Sequence, residues 1–271
     1  MFDAIRNLFR PPPQVPLPAV PPGTRHYLIG DIHGRLDLYE ALIAAIDADD
    51  AAQKARDTQV VLLGDLVDRG PDSAGVIDRT RAWQSERRVR VLAGNHEDMF
   101  LGAFKKPEIL RHFLKHGGRE TILSYGLAKD RFNALTLEEL FERLPELVPQ
   151  EERDYIAGFE EMIEAGDYLF VHAGIDPEVP LDEQKRSDLL WIRERFLNHS
   201  GPLEKVVVHG HTIFDRVTDR GNRIGIDTGA FRSGVLTALV LEDEQRRVIQ
   251  AIEEADGSIA IVQGERAAQE A

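Results

Sequence analysis

Six apolar segments of strand length each stop at or beside a glycine and a polar residue, and this repeated ending constrains the fold more than any other feature. The segments are YLIGDIHG, VVLLGDLVDRG, VRVLAGNHE, YLFVHAG, VVVHGHT and RIGIDTG. The first of them alternate with helical patterns such as LDLYEALIAAI, where apolar residues recur every three or four positions. This alternation predicts a mainly parallel, buried sheet with helices packed on it. The last segments are joined by short turns, so part of the second half is predicted to be antiparallel.

The division of the chain follows from its proline content and its helical patterns. Residues 11–24 hold half of the chain's 14 prolines, which forbids a regular helix or a central strand. We therefore predict a flexible, extended segment 1–24, a single domain 25–265 and a tail 266–271. Residues 97 to about 166 are charged and mostly helical in pattern, and we predict that they form a helical insertion beside the site.

Charge and cysteine content exclude several classes of protein. Lysine and arginine number 33 against 47 aspartates and glutamates, a formal charge of -14, which argues against nucleic-acid or anionic-membrane partners. The absence of cysteine excludes disulfides and thiolate metal sites. No apolar run approaches the roughly 20 residues of a membrane span. We expect a cytoplasmic protein, with a monomer as the favoured state.

The strand ends carry a set of residues suited to metal binding. In open α/β sheets, ligands bind at the carboxyl ends of the strands, and those ends here carry Asp31, His33, Asp65, Asn95, His96, His172 and His211. Carboxylate, amide and imidazole donors together suit manganese, iron or zinc. Two such ions about 3.5 to 4 Å apart clamp both oxygens of a phosphoryl displacement and lower the pKa of a bound water. The sequence therefore predicts a site for phosphoryl chemistry.

Five short motifs carry a resemblance to a known family. They are GDIHG at 30–34, GDLVDRG at 64–70, GNHE at 94–97, HAG at 172–174 and HGHT at 209–212. In this order they resemble the phosphoprotein phosphatase branch of the calcineurin-like metallophosphoesterases. WIRERF and IDTGAFRSGVLT add a resemblance to the compact bacterial and bacteriophage serine/threonine phosphatases. The resemblance implies an α/β (α+β) fold, with mixed sheets in a sandwich flanked by helices and the active site at the strand carboxyl ends.

The resemblance also implies a role for each metal ligand. Asp31 and His33 are expected to hold the first metal, and Asp65 to bridge both. The second metal is expected to be completed by Asn95, His172 and His211. His209 is expected to be a neighbour and no ligand, and Ile213 stands where broader relatives carry another ligand histidine. Two divalent ions are implied, with manganese expected and iron or zinc as alternatives.

Proton transfer and phosphate binding are assigned in the same way. His96 is expected to protonate the leaving alkoxide, and Asp68 to keep that imidazole protonated. Arg69 and Arg193 are expected to grip the phosphate through forked guanidinium donors. For Arg195 and Arg232, a surface salt bridge and substrate contact remain equally open.

The same residues also allow other interpretations. Taken alone, Asp31 and GDLVDRGPD fit a turn followed by a helix N-cap, but that interpretation explains none of the other motifs. The first function considered is a serine/threonine phosphatase acting on phosphorylated proteins. The second is hydrolysis of dinucleoside polyphosphates, whose related branch typically has alanine at the position of Asp68 and GNHD in place of GNHE. A scaffold with a decayed site would have lost ligands, and the motifs here retain all of them.

Overall fold

The computed structural model describes residues 17–265 of the chain. The strands are β1 Thr24–Ile29, β2 Asp57–Leu62, β3 Val89–Val91, β4 Met162–Ala165, β5 Tyr168–Val171, β6 Val206–His209, β7 Thr218–Asp219, β8 Arg223–Gly225, β9 Val235–Glu242, β10 Gln245–Glu253 and β11 Ile259–Glu265. The α-helices are α1 Leu36–Ala52, α2 Ser73–Glu86, α3 Asn95–Ala103, α4 Pro107–Phe113, α5 Arg119–Ser124, α6 Lys129–Ala134, α7 Leu137–Leu147, α8 Gln150–Ala157, α9 Arg186–Trp191, α10 Glu194–Leu197 and α11 Ala230–Ser233.

Two mixed sheets form the centre of the fold. The six-stranded sheet has the order β11-β10-β9-β1-β2-β3, in which β1, β2 and β3 are parallel and β9 to β11 are antiparallel. The five-stranded sheet has the order β4-β5-β6-β8-β7, with β5, β6 and β8 parallel. The antiparallel part of the second half is confirmed. The parallel sheet predicted as one unit is instead divided into two groups of three strands.

The buried side chains show how the sheets and helices are layered. One core lies between the six-stranded sheet and helices such as α1 and α2, and it includes Tyr27, Leu42 and Trp83. A second core joins the two sheets, since Leu28 of β1 and Phe170 of β5 belong to it. A third core covers the outer face of the five-stranded sheet. The predicted sandwich of mixed sheets flanked by helices is therefore confirmed.

The part of the chain between β3 and β4 is helical. It contains α3 to α8, with a π-helical turn at Leu114–Gly118 before α5. Phe100 of α3 stacks on Phe113 of α4, with ring centroids 5.3 Å apart. These aromatic rings attach the helices to the first core. The helices thereby lie beside the carboxyl ends of β2 and β3.

Part of the proline-rich segment lies within the described residues. Val20 is buried in the core between the sheets, and its backbone N–H donates to the carbonyl of Asp243. Residues 1–16 and 266–271 lie outside the described residues, and the predicted domain boundaries stay a prediction. No helix between residues 17 and 265 combines the length and apolar content needed to cross a membrane.

Candidate metal centre

The carboxyl ends of the parallel strands from both sheets converge on one location. Asp31 and His33 follow β1, Asp65 follows β2, and Asn95 begins α3 just after β3. From the other sheet, His172 follows β5 and His211 follows β6. The predicted ligands are all buried, with His211 the most exposed at 7%. The structure thus brings together every ligand that the sequence predicted for the two metals.

Glycines beside the predicted ligands leave space for their carboxylates. A Cβ atom on Gly94 would lie 2.1 Å from Asp65 Oδ1, and one on Gly210 would lie 2.2 Å from Asp31 Oδ1. Both distances are far below van der Waals contact, so any larger residue would displace a carboxylate. The glycines of GNHE and HGHT therefore serve the same purpose of close packing.

Backbone strain is concentrated in the same place. Six non-glycine residues among residues 17–265 have a positive φ, and five of them are predicted site residues: His33, Asp65, Asp68, Arg69 and His211. Side-chain-bearing residues rarely adopt this conformation, and it costs of order 1 kcal/mol or more each time. The fold accepts this cost where it directs polar side chains to one point.

Two groups of side chains have the spacing of metal ligands. His33, Asp65 and His96 form one, and Asp65, His172 and His211 form the other, with ligand atoms within 4.8 Å of one another in each. Asp65 belongs to both groups. Its Oδ2 lies 3.5 Å from His33 Nε2 and its Oδ1 lies 3.4 Å from His172 Nε2. A carboxylate in this position can bridge two ions.

The imidazoles present unprotonated nitrogens to this centre. Nδ1 of His33 donates to the carbonyl of Val67 at 2.8 Å, and Nδ1 of His172 donates to that of Leu63 at 2.7 Å. Such bonds orient the ring and leave Nε2 with a free electron pair. Burial lowers the pKa of His33, His172 and His211, so each is neutral, which is the form that binds metals.

Several polar atoms at the centre have electron pairs that a cation would use. His172 Nε2 lies 3.0 Å from Asn95 Oδ1 as well as close to Asp65, so its electron pair faces oxygen atoms. His211 Nε2 is buried and has no hydrogen-bond partner among the described residues. A divalent ion would satisfy these atoms. The donor set therefore fits the divalent metals that the sequence predicts.

A further carboxylate, Asp227, was not predicted. It follows β8, is buried, and forms a hydrogen bond with the Asp31 carboxyl group. Burial, together with the carboxylates of Asp227 and Asp65, raises the pKa of Asp31 well above its usual range. Asp227 is the polar residue of RIGIDTG, one of the six strand ends, and this placement is the sequence signal for its position.

The predicted proton donor sits beside the same centre. His96 Nδ1 lies 2.6 Å from Asp68 Oδ2, and both side chains are buried. Burial lowers the pKa of His96, but the carboxylates of Asp65 and Asp68 outweigh it and raise that pKa above the ordinary value. A protonated imidazole at this position can act as a general acid.

The arginines divide into two kinds. The Arg69 guanidinium lies 2.9 Å from His33 Nε2 and 2.9 Å from His96 Nε2, where it can donate only to a ring nitrogen that carries no proton, and it lies 4.7 Å from the ring centroid of Phe231. Within residues 17–265, the hydrogen bonds of the Arg193 side chain are both long, at 3.5 Å, to Thr212 and to the carbonyl of His211. Arg195 instead pairs with Asp176 and Glu178 at the surface, and Arg232 is exposed. The structure therefore favours the salt-bridge interpretation of Arg195.

Two sets of hydrogen bonds that support the centre were not predicted from the sequence. The carboxylate of Glu97 accepts backbone N–H groups from Gly94, Asp65, Leu66 and Val67 at 2.8 to 3.3 Å. Asp68 is held by the hydroxyl groups of Ser73 and Thr121. The ring of His209, which is predicted to be a neighbour of the ligands, packs against Phe196. Glu97 was visible in GNHE, but Thr121 lies in the helical part, where no motif indicated it.

The family model and the curated relatives that match this chain are all phosphoesterases. The family model for calcineurin-like phosphoesterases matches residues 24–235. Serine/threonine-protein phosphatase 1 of Salmonella typhimurium is 31% identical over 219 residues, which cover 79% of this chain and 90% of that relative. The symmetrical bis(5'-nucleosyl)-tetraphosphatase of an Acidovorax species is 33% identical over 181 residues, which cover 67% of this chain and 50% of that relative.

Solved structures share the fold at lower identity. A structure described as a candidate diadenosine tetraphosphatase superposes with a TM-score of 0.57 at 21% identity, covering 93% of this chain and all of that one. A cold-active protein-tyrosine phosphatase from a Shewanella species gives a TM-score of 0.51 at 19% identity, covering 93% of this chain and 88% of that one. These similarities concern the fold alone.

Proposed function

Because the chain belongs to the calcineurin-like phosphoesterase family, we propose that it is a metal-dependent serine/threonine protein phosphatase. The similarity to a relative named serine/threonine-protein phosphatase 1 along 90% of that relative's length supports this substrate class. The observation on which the proposal depends most is the buried contact between His96 and Asp68, at 2.6 Å. It matters because a serine or threonine alkoxide is a poor leaving group and needs a proton.

The proposed metal ligands are those of the converging strand ends. Asp31, His33 and Asp65 would hold one ion, and Asp65 would share the other with Asn95, His172 and His211. Bound divalent ions supply Lewis acidity, which makes water a nucleophile at neutral pH and offsets charge on the phosphate. We propose manganese, because mixed oxygen and imidazole donors suit it and no thiolate is present.

The proposed reaction combines attack by a water molecule with protonation of the leaving oxygen by His96. The oxygen of a water molecule forms a bond to phosphorus while the ester P–O bond breaks, and the electron pair stays on the serine or threonine oxygen. His96 Nε2 gives its proton to that oxygen, the attacking water loses a proton to solvent, and solvent reprotonates His96. Asp68 favours the protonated imidazole before the transfer and fixes the direction of Nε2.

Arg69 and Arg193 are proposed to bind the phosphate. Arg69 donates to His33 Nε2, the nitrogen proposed as a ligand, and one electron pair cannot serve both partners. Metal binding therefore requires Arg69 to release that nitrogen, and protonation of His96 Nε2 requires it to release that second nitrogen as well, which frees its N–H groups for phosphate oxygens. The contacts of Arg193 with Thr212 and His211 are long, at 3.5 Å, so it can turn from them to the phosphate without losing a strong hydrogen bond.

Hydrolysis of dinucleoside tetraphosphates is the second candidate function. The similarity to the Acidovorax relative supports it, although the match spans half of that relative. The leaving group of that reaction is a nucleotide phosphate, which departs without a strong acid. The Asp68 carboxylate at His96 is then less needed, so the geometry favours phosphoserine and phosphothreonine.

A substrate panel tests the proposal. Purified protein with manganese is offered phosphoserine, phosphothreonine and phosphotyrosine peptides beside diadenosine tetraphosphate, and phosphate release is measured. We expect the phosphoserine and phosphothreonine peptides to have the highest kcat/KM, and a chelator to abolish turnover. A higher kcat/KM for the dinucleotide would contradict the proposed substrate class, and inactivity with manganese, iron and zinc would contradict an enzymatic role.

A further inference from the structure

Helix α5 contributes a buried hydroxyl group to Asp68, the partner of the proposed proton donor His96. Thr121 Oγ1 donates to Asp68 Oδ1 at 2.6 Å, and the backbone N–H of Asp68 donates to Thr121 Oγ1 at 2.9 Å. Asp68 uses its other oxygen, Oδ2, for His96. Thr121 is wholly buried, as is Ser73, whose hydroxyl lies 2.9 Å from that of Thr121. The carboxylate is therefore held at both oxygens by side chains from different parts of the fold.

The two hydroxyl groups are not equivalent. Ser73 accepts from the Asp68 backbone N–H at 2.9 Å, so that N–H keeps an acceptor if Thr121 is changed. The hydroxyl of Thr121 alone combines that contact with one to the carboxylate. Loss of this hydroxyl would leave Oδ1 buried without its donor, which costs about 1 to 3 kcal/mol for a polar group away from water. Rotation of the carboxylate would relieve that cost at the expense of its bond to His96.

The same helical part of the chain also contacts Arg69, the residue that follows Asp68. Gly117, in the π-helical turn before α5, accepts the backbone N–H of Arg69 at 3.1 Å. Gly117 has a φ of 105°, and a Cβ atom there would lie 2.8 Å from that nitrogen. Asp68 and Arg69 both have strained positive φ values. Two adjacent strained residues are therefore held by one segment, Gly117 through the main chain and Thr121 through its hydroxyl group.

We infer that Thr121 is a positioning residue, which directs the Asp68 carboxylate toward His96 and so makes proton delivery to the leaving oxygen depend on helix α5. This inference rests on the proposed function of His96 as the proton donor. It gives the helical part between β3 and β4 a role in the reaction in addition to its position beside the site. Thr121 itself is not expected to touch the substrate.

A comparison of leaving groups tests this role. Thr121→Val removes the hydroxyl with little change of shape, and Thr121→Ser keeps it. A phosphoserine peptide needs a proton on its leaving oxygen, whereas p-nitrophenolate leaves without one. We expect Thr121→Val to lower kcat for the peptide by about 10-fold to 100-fold, within the range of general acid catalysis. We expect kcat for p-nitrophenyl phosphate to fall less than about 3-fold, with KM and manganese content unchanged and Thr121→Ser close to wild type.

Thr80→Val is the matched control. Thr80 is also fully buried in a helix, and its hydroxyl contacts Tyr39 at 3.1 Å in the first core. Its loss is expected to lower stability about as much as Thr121→Val does while leaving kcat for both substrates unchanged. A structural defect alone would make the two valine variants behave alike. That result, or an equal fall for both substrates in Thr121→Val, would overturn the inference.

A spectroscopic measurement separates the inference from the proposed function. The proton between His96 Nδ1 and Asp68 is expected to give a downfield ¹H NMR signal, which Thr121→Val shifts or removes and which Thr121→Ser and Thr80→Val retain. An unchanged signal in Thr121→Val would contradict the positioning role whatever the enzyme hydrolyses. If the signal responds as expected but wild-type protein hydrolyses neither phosphomonoester, the proposed function fails while the positioning of His96 stands.

Discussion

Glu97 shows how much of the site depends on one side chain without a proposed chemical role. Its Oε1 accepts from Leu66 and Val67, and its Oε2 accepts from Asp65 and Gly94. Successive backbone N–H groups in such a turn form an anion-binding nest. The nest is filled here by a carboxylate of the same chain. Glu97 therefore stabilises the strained turn from which Asp65 points into the centre.

Replacement of Glu97 by glutamine tests this support. A glutamine must turn an NH₂ group toward two of the four backbone donors, which leaves those donors without an acceptor. We expect Glu97→Gln to lower the free energy of unfolding by at least about 2 kcal/mol in urea titrations. We also expect weaker manganese binding by isothermal titration calorimetry, because the position of Asp65 is no longer fixed.

The control for Glu97 is the same substitution at Glu142, an exposed position in α7. Glu142→Gln is expected to change the free energy of unfolding by less than about 0.5 kcal/mol. Equal manganese affinity in Glu97→Gln and wild type would show that the turn keeps its shape without the carboxylate.

A site residue can be predicted from the sequence when the residues next to it in the chain form a recognisable pattern. Asp31, His33 and Asp65 stand at strand ends beside glycine, so periodicity and composition were enough to group them. Thr121 had no such signal, because a threonine in a helix is ordinary and its contact to Asp68 spans 53 residues of sequence. Residues that touch other site residues across the fold are recognised only when the packing is known.

For the segment that precedes β1, the sequence likewise predicts the local conformation but not the packing. The proline content of 11–24 correctly excludes a helix from the described part, but it does not decide whether an extended segment packs. The backbone of Ala19 forms hydrogen bonds with Asp167 in the turn before β5. The backbone N–H of Val20 donates to the carbonyl of Asp243 in the turn after β9. Residues 17–23 therefore tie together turns from both sheets.

The contribution of this segment can be measured at Val20. Its side chain is 2% exposed in the core between the sheets, so Val20→Ala leaves a small cavity there. We expect the free energy of unfolding to fall by about 1 to 2 kcal/mol, measured by urea titration. Leu17→Ala is the control, because Leu17 is 61% exposed and its truncation should cost less than about 0.5 kcal/mol. Equal effects at the two positions would mean that the segment does not stabilise the sandwich.

The pairing of distant strands decides the architecture of the molecule, and the sequence predicted it only in part. The parallel order of β1, β2 and β3 follows from their alternation with helices. The antiparallel pairing of β1 with β9 joins residues more than 200 positions apart, such as Arg25 and Glu242, and apolar patterning contains no information on that partner. The division into two sheets was likewise visible only in the sandwich that the family resemblance implied. The predicted metal ligands come from both sheets, so they are brought together only when the sheets are packed together.

Packing of the two sheets also makes the molecule sensitive to acid through His26. Its side chain, on β1, is 6% exposed near the ring of Phe170, and neither ring nitrogen has a partner among the described residues. Burial lowers the pKa of His26 from 6.5 to about 4, and the cations Arg88 and Arg90 act in the same direction while Asp57 opposes them. The unfolded chain thus takes up the proton near pH 6.5 and the folded chain only near pH 4. Protonation therefore favours unfolding throughout that interval.

The pH dependence of unfolding is the measurement that follows. Between pH 7.5 and pH 5, His26 should remove roughly 2 kcal/mol of stability from the wild-type protein. His26→Leu cannot take up a proton, so urea titrations should show its stability relative to wild type rising by that amount over the same interval. Other groups that titrate there affect both proteins and cancel in the difference. Substitution of the exposed His116 by glutamine is the control for the loss of a histidine. If the difference between His26→Leu and wild type is the same at both pH values, then His26 is protonated as readily in the folded sandwich as in the unfolded chain.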